Sequence, residues 1–193
     1  MAKSLSTCVL VVGLLAATEA NASASFANRN LGLGVSGFGI VGAMTNGIGI
    51  DWGIPITLEG GFYIESGFEV FLKIPLLFAQ QKFGFNSADG KGIVLASGGQ
   101  FGIKYMFLEE SIRPYVTLHL AGLYFIRDQA ALQAMTGVTL NNFFIGPGTS
   151  VGIDFFVGES ISIGARAYID MYVTLNVPPN FAIGGGIGAT TYF

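Results

Sequence analysis

The sequence predicts an all-β fold, an antiparallel up-and-down transmembrane β-barrel of about eight strands, from three observations. Apolar side chains alternate with glycine and polar side chains over most of the chain, which is the two-residue period of a strand. The 193 residues are 51% hydrophobic and only 11% charged, which is too apolar for a domain whose surface meets water. Short turns alternate with longer connections, as in barrels that cross a bilayer.

The composition requires an apolar solvent, because the mean hydropathy is +0.61. No run of about 18 or more apolar residues is present, which argues against a bundle of transmembrane helices. A tilted strand crosses a bilayer with about 9–11 residues, and each predicted strand is long enough. The net charge is −3 and Lys and Arg do not cluster, so nucleic acid is not an expected partner.

The N-terminus has the features of a secretory signal peptide. Lys3 precedes the short apolar segment CVLVVGLLAA, and the small residues ANASA follow at 20–24. We predict that residues 1–24 are cleaved and that residues 25–193 form a single outer-membrane barrel domain. The only cysteine, Cys8, would leave with the signal peptide, so we expect neither disulfides nor thiol-ligated metals in the mature protein.

The first predicted strand begins with NLGLGVSG, residues 30–37, where leucine and valine alternate with glycine and serine, and continues through Phe38 and Ile40. Phe38 then changes parity, which predicts a bulge near Gly37. From Ile48 to Phe78 almost every even position is apolar, so this stretch holds two strands.

The turn between the second and third strands has two candidates, EGG at 59–61 and ESG at 65–67, and we favour the second. The polar segment 80–92 is a predicted loop, and 127–142 is the longest break in the pattern. The remaining strands are predicted in IVLASGGQFGIKYMFL (93–108), IRPYVTLHLAGLYFI (112–126), NFFIGPGTSVGIDFFV (142–157), ISIGARAYIDMYVTL (161–175) and FAIGGGIGATTYF (181–193).

The orientation of the strands follows from the solvent. Hydrocarbon offers no partner to backbone N–H and C=O groups, so the sheet must close on itself, with its apolar parity facing lipid and its glycine-rich and charged parity facing inward. Trp52, Phe107 and Phe155 face outward beside loops or turns, as in an interfacial aromatic girdle. A soluble sandwich or lipocalin-like barrel would carry many Lys and Glu on its polar face, whereas this face is mostly Gly, Ser, Thr and Ala.

Parity also predicts a polar network in the lumen. Lone charges are costly in a narrow lumen, so Lys and Arg should pair there with Asp and Glu and fill the core of an eight-stranded barrel. Several inward positions are glycine, however, and the volume that they leave keeps a narrow polar path open as an alternative. The predicted lumen residues are Asp51, Glu59, Glu69, Lys73, Gln100, Lys104, His119, Asp154, Arg166 and Asp170.

The whole pattern resembles the small eight-stranded outer-membrane barrels of Gram-negative bacteria, the group that includes the OmpX-type proteins and the membrane domain of OmpA. The resemblance rests on the signal peptide, the alternating strands, the short and long connections, and the terminal aromatic strand ending in Phe193. It implies export through the periplasm, residence in the cell outer membrane among its lipids, and assembly by the barrel-assembly machinery, which reads the terminal phenylalanine in that group. Ala189 and Thr191 depart from the group, where larger apolar residues are common.

The sequence favours a non-enzymatic role, either structural in the envelope or in surface interaction, with the predicted loops meeting a surface or envelope partner. Two alternatives remain: a narrow pore for small solutes and a lipid-modifying outer-membrane enzyme. In the resembling group, hydrolytic enzymes use a Ser–His pair. Here His119, the only histidine, lies in mid-strand with no serine two positions away, so we expect a structural role for it. A lone histidine also lacks the partners of a zinc site, and we expect no metal or cofactor.

Overall fold

The computed structural model describes residues 29–41, 50–65, 67–82, 91–107, 111–126, 142–157, 160–174 and 177–193. These residues form a closed barrel of eight antiparallel strands, which confirms the predicted fold class. The predicted signal peptide and most of the two predicted loops lie outside the described residues. The strands are β1 (Arg29–Val41), β2 (Ile50–Glu65), β3 (Phe68–Lys82), β4 (Lys91–Met106), β5 (Ile112–Ile126), β6 (Phe143–Phe156), β7 (Ile161–Thr174) and β8 (Val177–Tyr192).

The barrel closes between its first and last strands. Each strand pairs with its neighbours in the chain, and β1 pairs with β8 in an unbroken register from Asn30↔Tyr192 to Val41↔Phe181. The Arg29 N–H donates to the Phe193 carbonyl at 3.2 Å, and the Phe193 N–H donates to the Arg29 carbonyl at 2.9 Å. The described sheet therefore has no free edge, as an apolar solvent requires.

The two ends of the barrel differ in their connections. At the turn end, β2 and β3 join through the predicted turn at 65–67, where Glu65 pairs with Phe68. Gly67 has φ +86°, and a side chain there would be strained and would collide with the Met106 carbonyl, so glycine suits this turn. We call the opposite end, where β3 joins β4 and β5 joins β6, the loop end.

The predicted bulge near Gly37 is wrong. Val35 pairs with Ile56 and Phe38 pairs with Gly53, so the register between β1 and β2 does not shift between these positions. Phe38 changes parity because it points inward and packs against the buried apolar core. Gly53 gives its ring room, since a Cβ atom at Gly53 would collide with the Phe38 ring.

The outward side chains form an exposed apolar belt. Leu118, for example, is 61% exposed, and large aliphatic and aromatic side chains are exposed on every strand. Trp52 lies exposed near the loop end, where its indole N–H donates to Gln80 Oε1 at 2.7 Å, and Phe107 and Phe155 are exposed near the turn end. The belt with aromatic margins is the surface expected of a barrel in a bilayer. Among the residues described, no helix is long and apolar enough to cross a membrane.

Candidate functional site

The loop-end half of the lumen is apolar. Its buried core includes Leu77, Leu123, Phe125 and Phe144, with the Phe125 and Phe144 rings edge to face at 5.5 Å between centroids. The sequence predicted that the inward positions are mainly glycine and polar residues, and this half of the lumen differs from that prediction. The sequence does indicate an apolar interior where large apolar residues are adjacent, as in Tyr124-Phe125-Ile126, because one of two neighbouring strand residues must point inward.

In the middle of the lumen, two cations share one carboxylate oxygen. Glu59 and Lys73 are register partners on β2 and β3, and Lys73 Nζ lies 3.1 Å from Glu59 Oε2. Arg166 reaches the same Oε2 from β7, with Nη1 at 3.1 Å. Lys73 also lies over the Phe71 ring, 4.4 Å from its centroid. Because β7 and β2 are not neighbours, Arg166 ties two walls of the barrel together.

A second cluster lies nearer the turn end and has the opposite balance, one cation with two carboxylates. Lys104 Nζ lies 2.6 Å from Asp154 Oδ2 and 3.8 Å from Glu69 Oε2. It also lies 4.3 Å from the centroid of the Tyr115 ring, so the two carboxylates and the ring all favour a positive charge on this buried side chain. The contacts connect β3, β4 and β6 across the interior.

The third cluster is built around Asp170 on β7. His119 Nε2 lies 2.8 Å from Asp170 Oδ1, while the Gln100 amide and the Tyr172 hydroxyl donate to Asp170 Oδ2 at 3.3 Å and 3.2 Å. His119 and Asp170 lie on β5 and β7, and Gly148 on β6 is the register partner of both. A Cβ atom at Gly148 would collide with both side chains, so this glycine is what allows them to meet.

His119 also has hydroxyl neighbours that the sequence analysis missed. Its Nδ1 lies 3.4 Å from Thr117 Oγ1, which in turn lies 2.6 Å from Ser150 Oγ and accepts the Ser150 backbone N–H at 3.1 Å. Thr117 is recognisable in the sequence as the inward residue two positions before His119, and its hydroxyl offers the same hydrogen bond as a serine would. The contact between Ser150 and Thr117 depends on the β5–β6 register, which the sequence does not specify.

The predicted lumen residues therefore divide into three groups of contacts. Of the ten, all except Asp51 have described side chains that lie inside the barrel, and Asp51 belongs to β2 with a side chain outside what the structure describes. In the described part of the chain, no group of three or more His, Cys, Asp or Glu side chains is arranged to hold a metal ion.

At most of the inward glycines, a neighbouring side chain occupies the space that a Cβ atom would need. A Cβ atom at Gly152 would collide with Tyr115, and one at Gly184 would collide with Tyr168. The volume expected from the missing side chains is thus mostly occupied. Among the described residues, small adjoining cavities include one of about 40 Å³ in the apolar half and one of about 30 Å³ in the middle of the lumen. Both are lined by Pro55, Pro75, Gln100 and Tyr168.

The sequence matches no protein-family model and no curated protein. The fold does match solved structures. The outer membrane protein OprG from Pseudomonas aeruginosa aligns with a TM-score of 0.59 at 13% identity, covering 87% of this chain and 97% of that one. The fold is that of the small outer-membrane barrels. Neisserial surface protein A aligns at 0.54 with 14% identity, covering 86% and 97% of the two chains.

A third small outer-membrane barrel, the attachment invasion locus protein Ail of Yersinia pestis, aligns with a TM-score of 0.51 at 12% identity, covering 86% of this chain and 97% of that one. These matches confirm the resemblance in architecture that the sequence predicted. Identities this low show a shared fold and say nothing of a shared activity, so function has to be argued from the lumen and the surface.

Proposed function

We propose that this chain is a non-enzymatic integral protein of the cell outer membrane with a structural or surface-interaction role. The exposed apolar belt supports membrane residence, because an apolar surface of this extent on every strand is costly in water. The likeness in fold to three outer-membrane barrels supports the outer membrane as the location.

The observation that carries the proposal is the cross-lumen ion pairing. Arg166–Glu59 and Lys104–Asp154 each join strands that are not neighbours, so they stand across the interior as a plug. Because a barrel with a closed lumen can meet other molecules only at its solvent-exposed ends, we expect the loops there to bind its partners. We propose that the loop end faces the cell exterior and that its connections meet a surface or envelope partner.

The first test is electrical. Refolded protein in planar lipid bilayers should give no discrete conductance steps. An Arg166→Ala/Lys104→Ala double variant loses both cross-lumen ties, but it should conduct only if the apolar core at the loop end is also opened, for example by adding Phe125→Ala and Phe144→Ala. An outward Leu118→Ala variant should behave as the wild type. Discrete steps in the wild-type protein would overturn the plug.

A narrow pore is the second candidate, because the two cavities adjoin and share lining residues. It differs from the plug in one measurable respect. A pore conducts in the wild-type protein, and its conductance responds to Gln100 or Tyr168, which line both cavities. The plug predicts no such wild-type current.

The non-enzymatic part of the proposal concerns His119. The Thr117–His119–Asp170 chain has the composition of a hydroxyl–imidazole–carboxylate relay. The Thr117 oxygen, however, is already bonded to Ser150, and the adjoining cavity of about 30 Å³ has no room for an acyl chain. We therefore expect His119→Asn to leave lipid composition unchanged in cells. Altered lipid A in that variant alone would support the enzyme alternative.

The surface role is tested separately. Replacing residues 130–139 by a Gly-Ser linker should leave the barrel able to refold, seen as anomalous migration on unheated gels, while abolishing whatever envelope or adhesion phenotype the wild-type gene confers. The opposite pattern, in which only lumen variants lose the phenotype, would contradict the role proposed for the loops.

A further inference from the structure

The mid-lumen cavity has an unusual lining for a buried space. Its described lining includes side chains that carry hydrogen-bond donors, among them Lys73, Arg166, Thr57, Ser36, Ser150 and Gln100. No carboxylate is among the described residues that line it, although four carboxylates are described elsewhere in the lumen. We call this space, with its volume of about 30 Å³, the donor cavity.

The charge beside the donor cavity is unbalanced. Lys73 and Arg166 converge on the single Glu59 oxygen, so this cluster carries one excess positive charge. The opposite excess lies in another cluster, where Lys104 faces two carboxylates. Asp170, which borders the other cavity, is engaged by His119, Gln100 and Tyr172. The part of the lining that the structure describes therefore supplies no counter-charge for Lys73 and Arg166 on the cavity side.

The two cations also retain donors. An ammonium has three N–H bonds and a guanidinium has five, and in the described part of the chain each of these side chains makes its ion pair with Glu59 alone. Lys73 is only 4% exposed, so water outside the barrel does not solvate it. A buried cation is stabilised by each acceptor that it meets, so an anion inside the cavity would add to the one carboxylate that the two cations share.

We propose that the donor cavity binds one small inorganic anion of chloride size, held between Lys73 and Arg166 with hydroxyl and amide donors completing its shell. The volume decides the class of ligand. About 30 Å³ admits a halide with a water molecule, while a bulky organic anion such as gluconate does not fit. The site lies inside the plug and is independent of whichever partner meets the loops.

The test uses the full refolded barrel and bromide as the probe. Crystals grown in sodium bromide should give an anomalous peak in the donor cavity, within hydrogen-bonding distance of Lys73 Nζ and the Arg166 guanidinium. Water there without a bromide peak would overturn the proposal.

A solution measurement complements the crystal. Unfolding in denaturant is followed in sodium chloride and in sodium gluconate at equal ionic strength, so that screening is the same in both salts. At a chloride concentration of about ten times the dissociation constant, linkage favours the folded state about elevenfold over gluconate. Equal stability in the two salts would overturn the proposal.

Matched variants locate the effect. Arg166→Gln and Thr57→Val should reduce or abolish the difference between chloride and gluconate, and the second keeps every charge in place. Arg113→Gln makes the same exchange as the first at the turn end, where Arg113 lies over the Phe156 ring at 4.0 Å, and should keep the full difference. An equal loss in Arg113→Gln, or an undiminished difference in both cavity variants, would contradict the site.

Discussion

The two halves of the lumen fill the same kind of space by different means. The loop-end half packs Leu77, Leu123, Phe125 and Phe144 into an apolar core, whereas the middle and the turn end hold paired charges. Apolar packing is non-directional and tolerates changes of shape, but buried ion pairs depend on every partner being present. We therefore expect substitutions of similar size to lower the free energy of unfolding by unequal amounts in the two halves.

The largest effect is expected from Lys104→Met. It leaves Glu69 and Asp154 buried without their cation, which should lower the free energy of unfolding by about 3–5 kcal/mol. Leu123→Met places the same new residue in the apolar half and should cost less than about 1.5 kcal/mol. Urea titrations of protein refolded into lipid vesicles measure both, and similar losses would erase the distinction between the halves.

The next prediction compares the lumen with the belt outside it. Ile169→Arg puts a cation on the outward face of β7 near the middle of the strand and should cost about 2–4 kcal/mol in a bilayer. Ile161→Arg, on the same face at the end of β7 by the turn, should cost only about 0–1 kcal/mol. The same vesicle titrations measure this depth dependence, and its absence would argue that no hydrocarbon surrounds the belt.

A smaller effect is expected at the inward glycines that leave room for neighbouring side chains. Gly148→Ala should cost about 1–3 kcal/mol, because the new methyl group displaces His119 and Asp170. The outward Gly99→Ala has nothing within 4 Å of the added Cβ atom and should be close to neutral or stabilising. Thermal unfolding in detergent compares the pair. Equal tolerance would mean that the lumen relaxes around added volume.

The smallest effect lies at the boundary between the halves. Tyr172→Phe removes the hydroxyl that donates to Asp170 at 3.2 Å and should cost about 0.5–1.5 kcal/mol. Tyr124→Phe makes the same change on the exposed outer face and should be silent. Because both variants keep the ring, denaturant midpoints isolate the hydroxyl. A silent Tyr172→Phe would show that Asp170 is held by its other partners alone.

Much of the fold could be predicted because a two-residue period survives in a single sequence. The strands and their inward and outward faces followed from that alternation, which left the turn open between 59–61 and the favoured 65–67. The false bulge near Gly37 arose at Phe38, where a large inward residue is accommodated by Gly53 on the next strand. Such compensation between strands leaves no trace in the local pattern.

The contacts of the candidate site were less predictable. Parity placed Glu59 and Arg166 on the inner face, but their contact joins residues 107 positions apart and depends on the registers of the whole barrel. The meeting of His119 with Asp170 depends on a glycine in the strand between them. The apolar half was missed because inward apolar residues beside outward ones look like an interrupted alternation.

The tie between Arg166 and Glu59 has a consequence for the order of assembly. A growing sheet that has added its strands without curling shut holds these two residues on distant strands, so each charge faces the membrane interior with its partner out of reach. The two charges pair only when the first and last strands pair and close the barrel. Partly formed sheets are therefore unstable intermediates. Folding of this protein into lipid should accordingly be highly cooperative, with seam formation and charge pairing occurring in one step.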